Sequence, residues 1–234
     1  MEARNPLPAP TSEAAAPNEG FDLDPVEIRA LGVLVEKAFV TPDAYPLSIN
    51  AIVAGCNQLT AREPVMSVAE AEAQAAIDSL MARKLVSRRD QAGARVAKYE
   101  HLVRVRHSLP PAEQAVLATL MLRGAQTAGE IRQRCERLHR FDDIAAVEAV
   151  LEHLAEKFPP MVATLPRAPG TKEVRHAHLL GGTALLEEMA EAQSVGGGAA
   201  GRSRIAELED EVARLRSEIE ALRRDFDTFR QQFD

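Results

Sequence analysis

Between residues 21 and 182 a pattern of three helical-period segments followed by two alternating ones occurs twice, and this repeat leaves few folds open. In the first copy, "LDPVEIRALGVLVEKAF" begins with Asp24 as N-cap, Pro25 in the first turn and Glu27 to complete a capping box. Leu31, Leu34, Val35 and Ala38 give it an apolar stripe, and Thr41 and Pro42 stop it. Ser48 caps a second helix whose Ile49, Ile52, Val53 and Cys56 fall at i, i+3, i+4 and i+7. Ser67, with Glu70 three residues on, is expected to cap a third helix ending near Lys84. "LVSRRD" and "ARVAKYEH" then alternate around Gln91, Ala92 and Gly93, as hairpin strands do.

The second copy runs in the same order. "SLPPAEQAVLATLMLRG" is a helix stopped by Gly124, and Thr127 with Glu130 caps "AGEIRQRCERLHR". Asp142 or Asp143 caps "IAAVEAVLEHLAEKF", for which Ile144, Val147, Leu151, Leu154 and Phe158 are the expected buried stripe. Pro159 and Pro160 end it, and "MVATL" and "KEVRHAHLL" flank the turn "PRAPGT". Leu31 and Leu34 match Leu117 and Leu120, Ile77 and Leu80 match Leu151 and Leu154, and "KYEHL" matches "RHAHL". Three helices and a hairpin make a winged helix. The expected fold class is therefore mainly α with small β-hairpins (α+β): two tandem winged-helix domains, at 21–107 and 108–182, followed by a C-terminal coiled-coil helix.

The flanks follow other rules. Residues 1–20, rich in Pro, Ala and Glu, read as a disordered extension, and 183–201, with "SVGGGAAG", as a flexible linker. In 202–234, Ile205, Leu208, Val212, Leu215, Ile219 and Leu222 are spaced alternately by three and four, and Phe226, Phe229 and Phe233 continue the spacing. Ile and Val at a with Leu at d favour a parallel two-stranded coiled coil. The flanking charges agree, because Arg204, Glu211, Glu218 and Asp225 at g would face Glu209, Arg216, Arg223 and Arg230 at e of a partner helix. A homodimer through this helix is expected.

Aromatic residues are 4% of the chain and Trp is absent, so the core must come from Ala, Val, Ile and Leu. Cys56 and Cys135 lie on apolar helix faces, as buried thiols in a reducing compartment do. No apolar run reaches the roughly 18 residues a membrane span needs, and the N-terminus has no hydrophobic segment of a signal peptide. A cytoplasmic protein without a membrane partner is expected.

The runs "TPDAYPLSINAIVAGCNQLTAREPVM", "KYEH" and "LMLRGAQTAGEIRQR" resemble the YceH-like family of bacterial proteins over about residues 22–181. The resemblance implies a tandem winged-helix protein without an assigned biochemical role, and it brings no catalytic or binding residues with it.

Neither a phosphate loop, a nucleophile elbow nor an H-E-x-x-H run occurs. His176 and His178 alternate onto one strand face, where a pair could ligate a metal, but no third ligand is near in sequence. No enzyme activity, metal or cofactor is expected. Charge decides between the remaining classes. Net charge is −7, yet residues 21–107 hold 11 acidic and 11 basic side chains and 108–182 hold nine of each.

Arg88, Arg89, Arg95 and Lys98 lie on or beside the first hairpin, and Arg167, Lys172 and Arg175 on the second. These seven are the candidate contacts to double-stranded DNA. Arg132, Arg134, Arg137 and Arg140 add positive charge in the second copy. The helices in the recognition position carry Glu70, Glu72 and Asp78, or Asp143, Glu148, Glu152 and Glu156, with only Gln74, Ser79 and His153 suited to base edges. The sequence thus leads to a dimeric DNA-binding regulator that uses its wings, with a protein-interaction adaptor as the alternative.

Overall fold

The computed structural model describes residues 21–89, 96–167 and 173–182, together with Leu185, Glu187 and Arg214. The expected N-terminal extension, most of the linker and the coiled-coil seam at Ile205, Leu208, Val212, Leu215, Ile219 and Leu222 lie outside the described residues. Those residues form an α+β fold of seven α-helices, a short 3-10 turn and two antiparallel two-stranded hairpins. In order these are α1 (Pro25–Val40), α2 (Ile49–Cys56), α3 (Glu70–Ala82), β1 (Val86–Arg89), β2 (Lys98–His101), α4 (Val103–His107), α5 (Pro111–Arg123), α6 (Ala128–Arg134), α7 (Ile144–Glu156), β3 (Val162–Leu165) and β4 (Arg175–His178). Among the described residues, no helix is long and apolar enough to cross a membrane.

The three-helix-and-hairpin order recurs as the sequence implied, and matching positions do matching work. Ser48 and Thr127 cap α2 and α6. Ile52 and Ile131, then Cys56 and Cys135, follow at one constant offset, and all four are buried. Leu47 bridges Tyr99 of β2, and Gln126 bridges His176 of β4, so a third extended segment joins each hairpin just before its second helix. Register pairs Arg89 with Lys98 in the first hairpin and Leu165 with Arg175 in the second.

Three local expectations change. Helix α3 begins at Glu70 behind Ala69, not behind Ser67, and Glu72 reaches back to accept from Ala69 N at 2.7 Å. An alanine offers no acceptor, so only the Glu72 half of a capping box exists there. The turn expected at Gln91, Ala92 and Gly93 lies outside the described residues, next to the Arg89–Lys98 pair. A five-residue helix, α4, occupies the "VRVRH" run, with Ser108 left-handed at its end (φ 52°). Val147, Leu151 and Leu154 of α7 are buried, but Ile144 is 46% exposed and Phe158, just past the end of the helix, 101%, so the ends of the expected stripe face solvent.

The largest departure is at the centre. Helix α1 has every residue from Glu27 to Val35 buried, and α5 every residue from Glu113 to Leu122. A helix with one apolar stripe covers one neighbour, whereas "AVLATLML" is apolar nearly all round and must be enclosed. Helix α1 packs on α2 and α3 from its own half and on α5 from the other. A Cβ at Gly32 would stand 3.0 Å from Leu122 Cδ2 and 3.1 Å from Met121 Cβ, so a residue without a side chain lets the two helices approach. Both halves share one continuous core, and Leu23 N donates to Leu180 O at 2.9 Å where their ends meet.

Candidate functional site

Helices α3 and α7 occupy the same place in the two copies, and each buries one apolar edge. Ala73, Ala76, Ile77 and Leu80 seat α3, while Val147, Leu151 and Leu154 seat α7. The opposite edge of α3 exposes Glu70, Ala71, Glu72, Ala75 and Asp78. That of α7 exposes Ile144, Ala145, Glu148, Ala149, Glu152 and Glu156. Gln74 and Ser79, the residues suited to reading bases, are half-buried. Gln74 donates to Asp78 Oδ1 at 2.9 Å and accepts from Tyr99 OH at 3.4 Å, so its amide is already engaged. His153 does face solvent, its Nδ1 4.0 Å from Glu113 Oε1.

The hairpin cations have divided fates. Arg89 Nε donates to Glu100 Oε1 at 2.7 Å, and Ser87 Oγ adds a bond of 3.1 Å to the same oxygen. Arg88 and Arg167 are exposed and Lys98 is half-buried. Arg175 turns inward, donating to Ala125 O at 2.7 Å and to Glu130 Oε1 at 3.2 Å. Arg95 and Lys172 lie outside the described residues. Of the second-copy arginines, Arg132 donates to Asp142 O at 2.9 Å and Arg134 to Gln126 Oε1 at 2.8 Å. Arg137 and Arg140 are exposed. Two further cations, Arg104 and Arg106, are exposed on α4, where five residues carry too little periodicity to reveal a helix in sequence.

The buried titratable groups serve packing. Burial pushes the thiols of Cys56 and Cys135 up to about 11, against smaller opposing effects of nearby cations and, at Cys135, of Thr119. Cys135 Sγ lies 3.0 Å from Thr119 Oγ1, inside the core. His178 is 2% exposed, and burial lowers its pKa to about 4. His176 is half-buried, with Nδ1 3.3 Å from Thr164 Oγ1. The pair therefore does not present two accessible ring nitrogens. Among the described residues, no three His, Cys, Asp or Glu side chains gather as metal ligands do.

Comparison with known proteins agrees with the resemblance read from the sequence. The family model described as "Protein of unknown function, DUF480" matches residues 23–171. The chain is 76% identical over 199 residues to a UPF0502 protein of Azoarcus sp. (strain BH72), covering 85% of this chain and 88% of that one. It is 72% identical over 197 residues to a UPF0502 protein of Aromatoleum aromaticum, covering 83% and 86%. With a UPF0502 protein of Janthinobacterium sp. (strain Marseille) it shares 54% over 185 residues, covering 79% and 80%.

Proposed function

The chain belongs to the DUF480 family, and we propose that it is a non-enzymatic, dimeric tandem winged-helix adaptor that docks a protein on the outward edges of α3 and α7. Each three-helix-and-hairpin copy is a winged helix in this reading, with α3 and α7 where DNA-binding relatives of the fold place a recognition helix. The observation that carries the reading is the charge of those edges. Glu70, Glu72 and Asp78 on one, and Glu148, Glu152 and Glu156 on the other, would meet phosphates of the same sign in a major groove. Alanines between the carboxylates let a partner backbone approach, and exposed Ile144 and Phe158 at the two ends of α7 supply apolar anchors. The coiled coil at 202–234 pairs two copies, so that a partner with two docking segments gains avidity. Photo-cross-linking from the two helix edges tests the docking.

A second reading, DNA contact through the wings, draws support from exposed Arg88 and Arg167. Wing arginines can lie along the backbone or in the minor groove without the helices entering the major groove. Its test is a salt titration of binding to random duplex DNA, whose affinity should fall by about 0.9 in logarithmic slope per phosphate contact.

A further inference from the structure

Where the two halves meet, a cleft of about 460 Å³ opens between the end of α1, the loop that follows α2, and the ends of α5 and α6. We propose that this cleft binds a small phosphate-bearing molecule, held by Arg123 and Arg137 with Lys37 and Arg134, and that the bound molecule clamps one half of the protein to the other.

The case begins with unmatched charge. In a chain of net charge −7, the cleft is lined by Lys37, Arg123, Arg134 and Arg137, with Glu36 the one carboxylate in its wall. Glu36 is already occupied. Arg62, whose side chain is wholly buried, reaches both its oxygens at 2.6 and 3.1 Å, and Lys37 Nζ stands 3.2 Å away. Arg134 has Gln126 at 2.8 Å and a more distant share of Glu130, which also holds Arg175. Arg123 and Arg137 make no hydrogen bond or ion pair among the described residues. Burial, and the guanidinium groups of Arg134 and Arg62, hold the Arg123 pKa below its ordinary value, the condition of a cation that an anion would relieve. Helices α1, α5 and α6 end at the cleft, and each C-terminus contributes about half a negative charge. That explains a lysine or arginine in each last turn, but it does not account for Arg137, which lies beyond α6.

The walls are held firmly enough to keep such a shape. Arg62 Nε donates to Gly55 O at 2.9 Å and Nη1 to Ala61 O at 2.9 Å. Arg29 donates to Cys56 O at 3.1 Å and to Pro64 O at 2.6 Å, and Glu63 N donates to Leu122 O at 2.8 Å. The loop is thereby tied to α1 on one side and to α5 on the other. Leu59, 80% exposed, and half-buried Leu138 line the same cleft and give the organic part of a phosphorylated molecule apolar surface to lie against. Guanidinium forks suit a phosphate better than a lone carboxylate, because they can offer paired N–H donors to its several oxygens.

The test is thermal unfolding of the full-length protein with inorganic pyrophosphate, against sodium chloride at the same ionic strength and against a short duplex DNA at the same phosphate concentration. Pyrophosphate is expected to raise Tm by roughly 3 °C or more at saturation, since a ligand that binds only the folded state stabilises it by mass action. Chloride and DNA are expected to give no shift that depends on Arg123. R123Q/R137Q, and R137Q alone at an exposed position, should each lose most of the pyrophosphate shift while keeping the unliganded Tm within a few degrees. An equal shift in chloride overturns the proposal, as does an undiminished pyrophosphate shift in R137Q. A DNA shift abolished by R123Q/R137Q would assign the cleft to a nucleic-acid backbone and overturn it as well.

Discussion

Arg89 donates its Nε to Glu100 at 2.7 Å across the first hairpin, so a cation in the place of a phosphate contact is matched within the protein. Arg175 meets the same fate at Glu130 in the second hairpin. Replacing Glu100 and Glu130 with Gln should release both arginines. Affinity for random duplex DNA at about 50 mM salt is then expected to rise from undetectable, with a salt slope of about 0.9 for each phosphate newly neutralised. If the native chain binds as tightly as the double variant, the internal pairing does not restrain these arginines.

Arg62 is the buried cation on which the loop after α2 depends. Its Ala substitution leaves two backbone carbonyls without their donor and Glu36 with Lys37 alone, and is expected to cost about 3 kcal/mol in urea unfolding. A loss below about 1 kcal/mol would mean that the loop closes over the gap without it.

Acid should destabilise the fold in two windows. His178 titrates at about 4 in the folded protein, against 6.5 when unfolded, because it is buried. Between those values the unfolded chain holds a proton that the folded one does not, so stability falls by about 1.4 kcal/mol for each pH unit lost. Below 4 this penalty stops growing. Burial alone would raise the Glu36 pKa, but Arg62 and Lys37 outweigh it and hold the carboxyl below 4.5. The stability from Glu36 is therefore present above 4.5 and disappears as pH falls through the lower folded value. Burial holds His101 at about 4 as well, so urea midpoints at pH 7.5 and 5 should differ in the native chain and draw closer, without meeting, in His178→Leu. An unchanged gap in that variant would show that His178 is not among the groups responsible.

Cys56 and Cys135 should both resist a thiol reagent at neutral pH. With thiol pKa values of about 11, fewer than about one in a thousand is ionised, and neither sulfur reaches solvent. Two thiols should appear only on unfolding, and rapid modification of either in the native state would contradict their burial.

Dimerisation should reside in 202–234. Replacing Leu215 and Leu222 with Lys in the full chain puts charges at d positions of the seam, and sedimentation should then report a monomer where the native chain gives a dimer. A dimer in both would place the interface elsewhere.

Much of the fold was legible because its signals are local. Asp24 with Glu27, Ser48, and Thr127 with Glu130 each announce a helix start through hydrogen bonds spanning three residues. Ser67 misled for the same reason: a cap pattern in sequence says nothing of where the backbone first turns. The pairing of α1 with α5 lay in sequence too, in runs apolar around the whole helix, though a search for single stripes passes over it. The candidate surface was legible in its charge but not in its cations. Whether the charge of Arg89 or Arg175 is already matched depends on Glu100 and Glu130, eleven and forty-five residues away, and only the fold sets those meetings.

The docking edges of α3 and α7 can be tested directly with a photo-reactive amino acid at Ala75 or at Ala149, both exposed, irradiated in growing cells. The expected result is a discrete adduct that resists nuclease, is destroyed by protease, and weakens when Glu72 or Glu148 beside the probe is replaced by Lys. An adduct sensitive to nuclease, or one formed only when the probe sits at Arg88 or Arg167, would contradict protein docking and transfer the function to the wings.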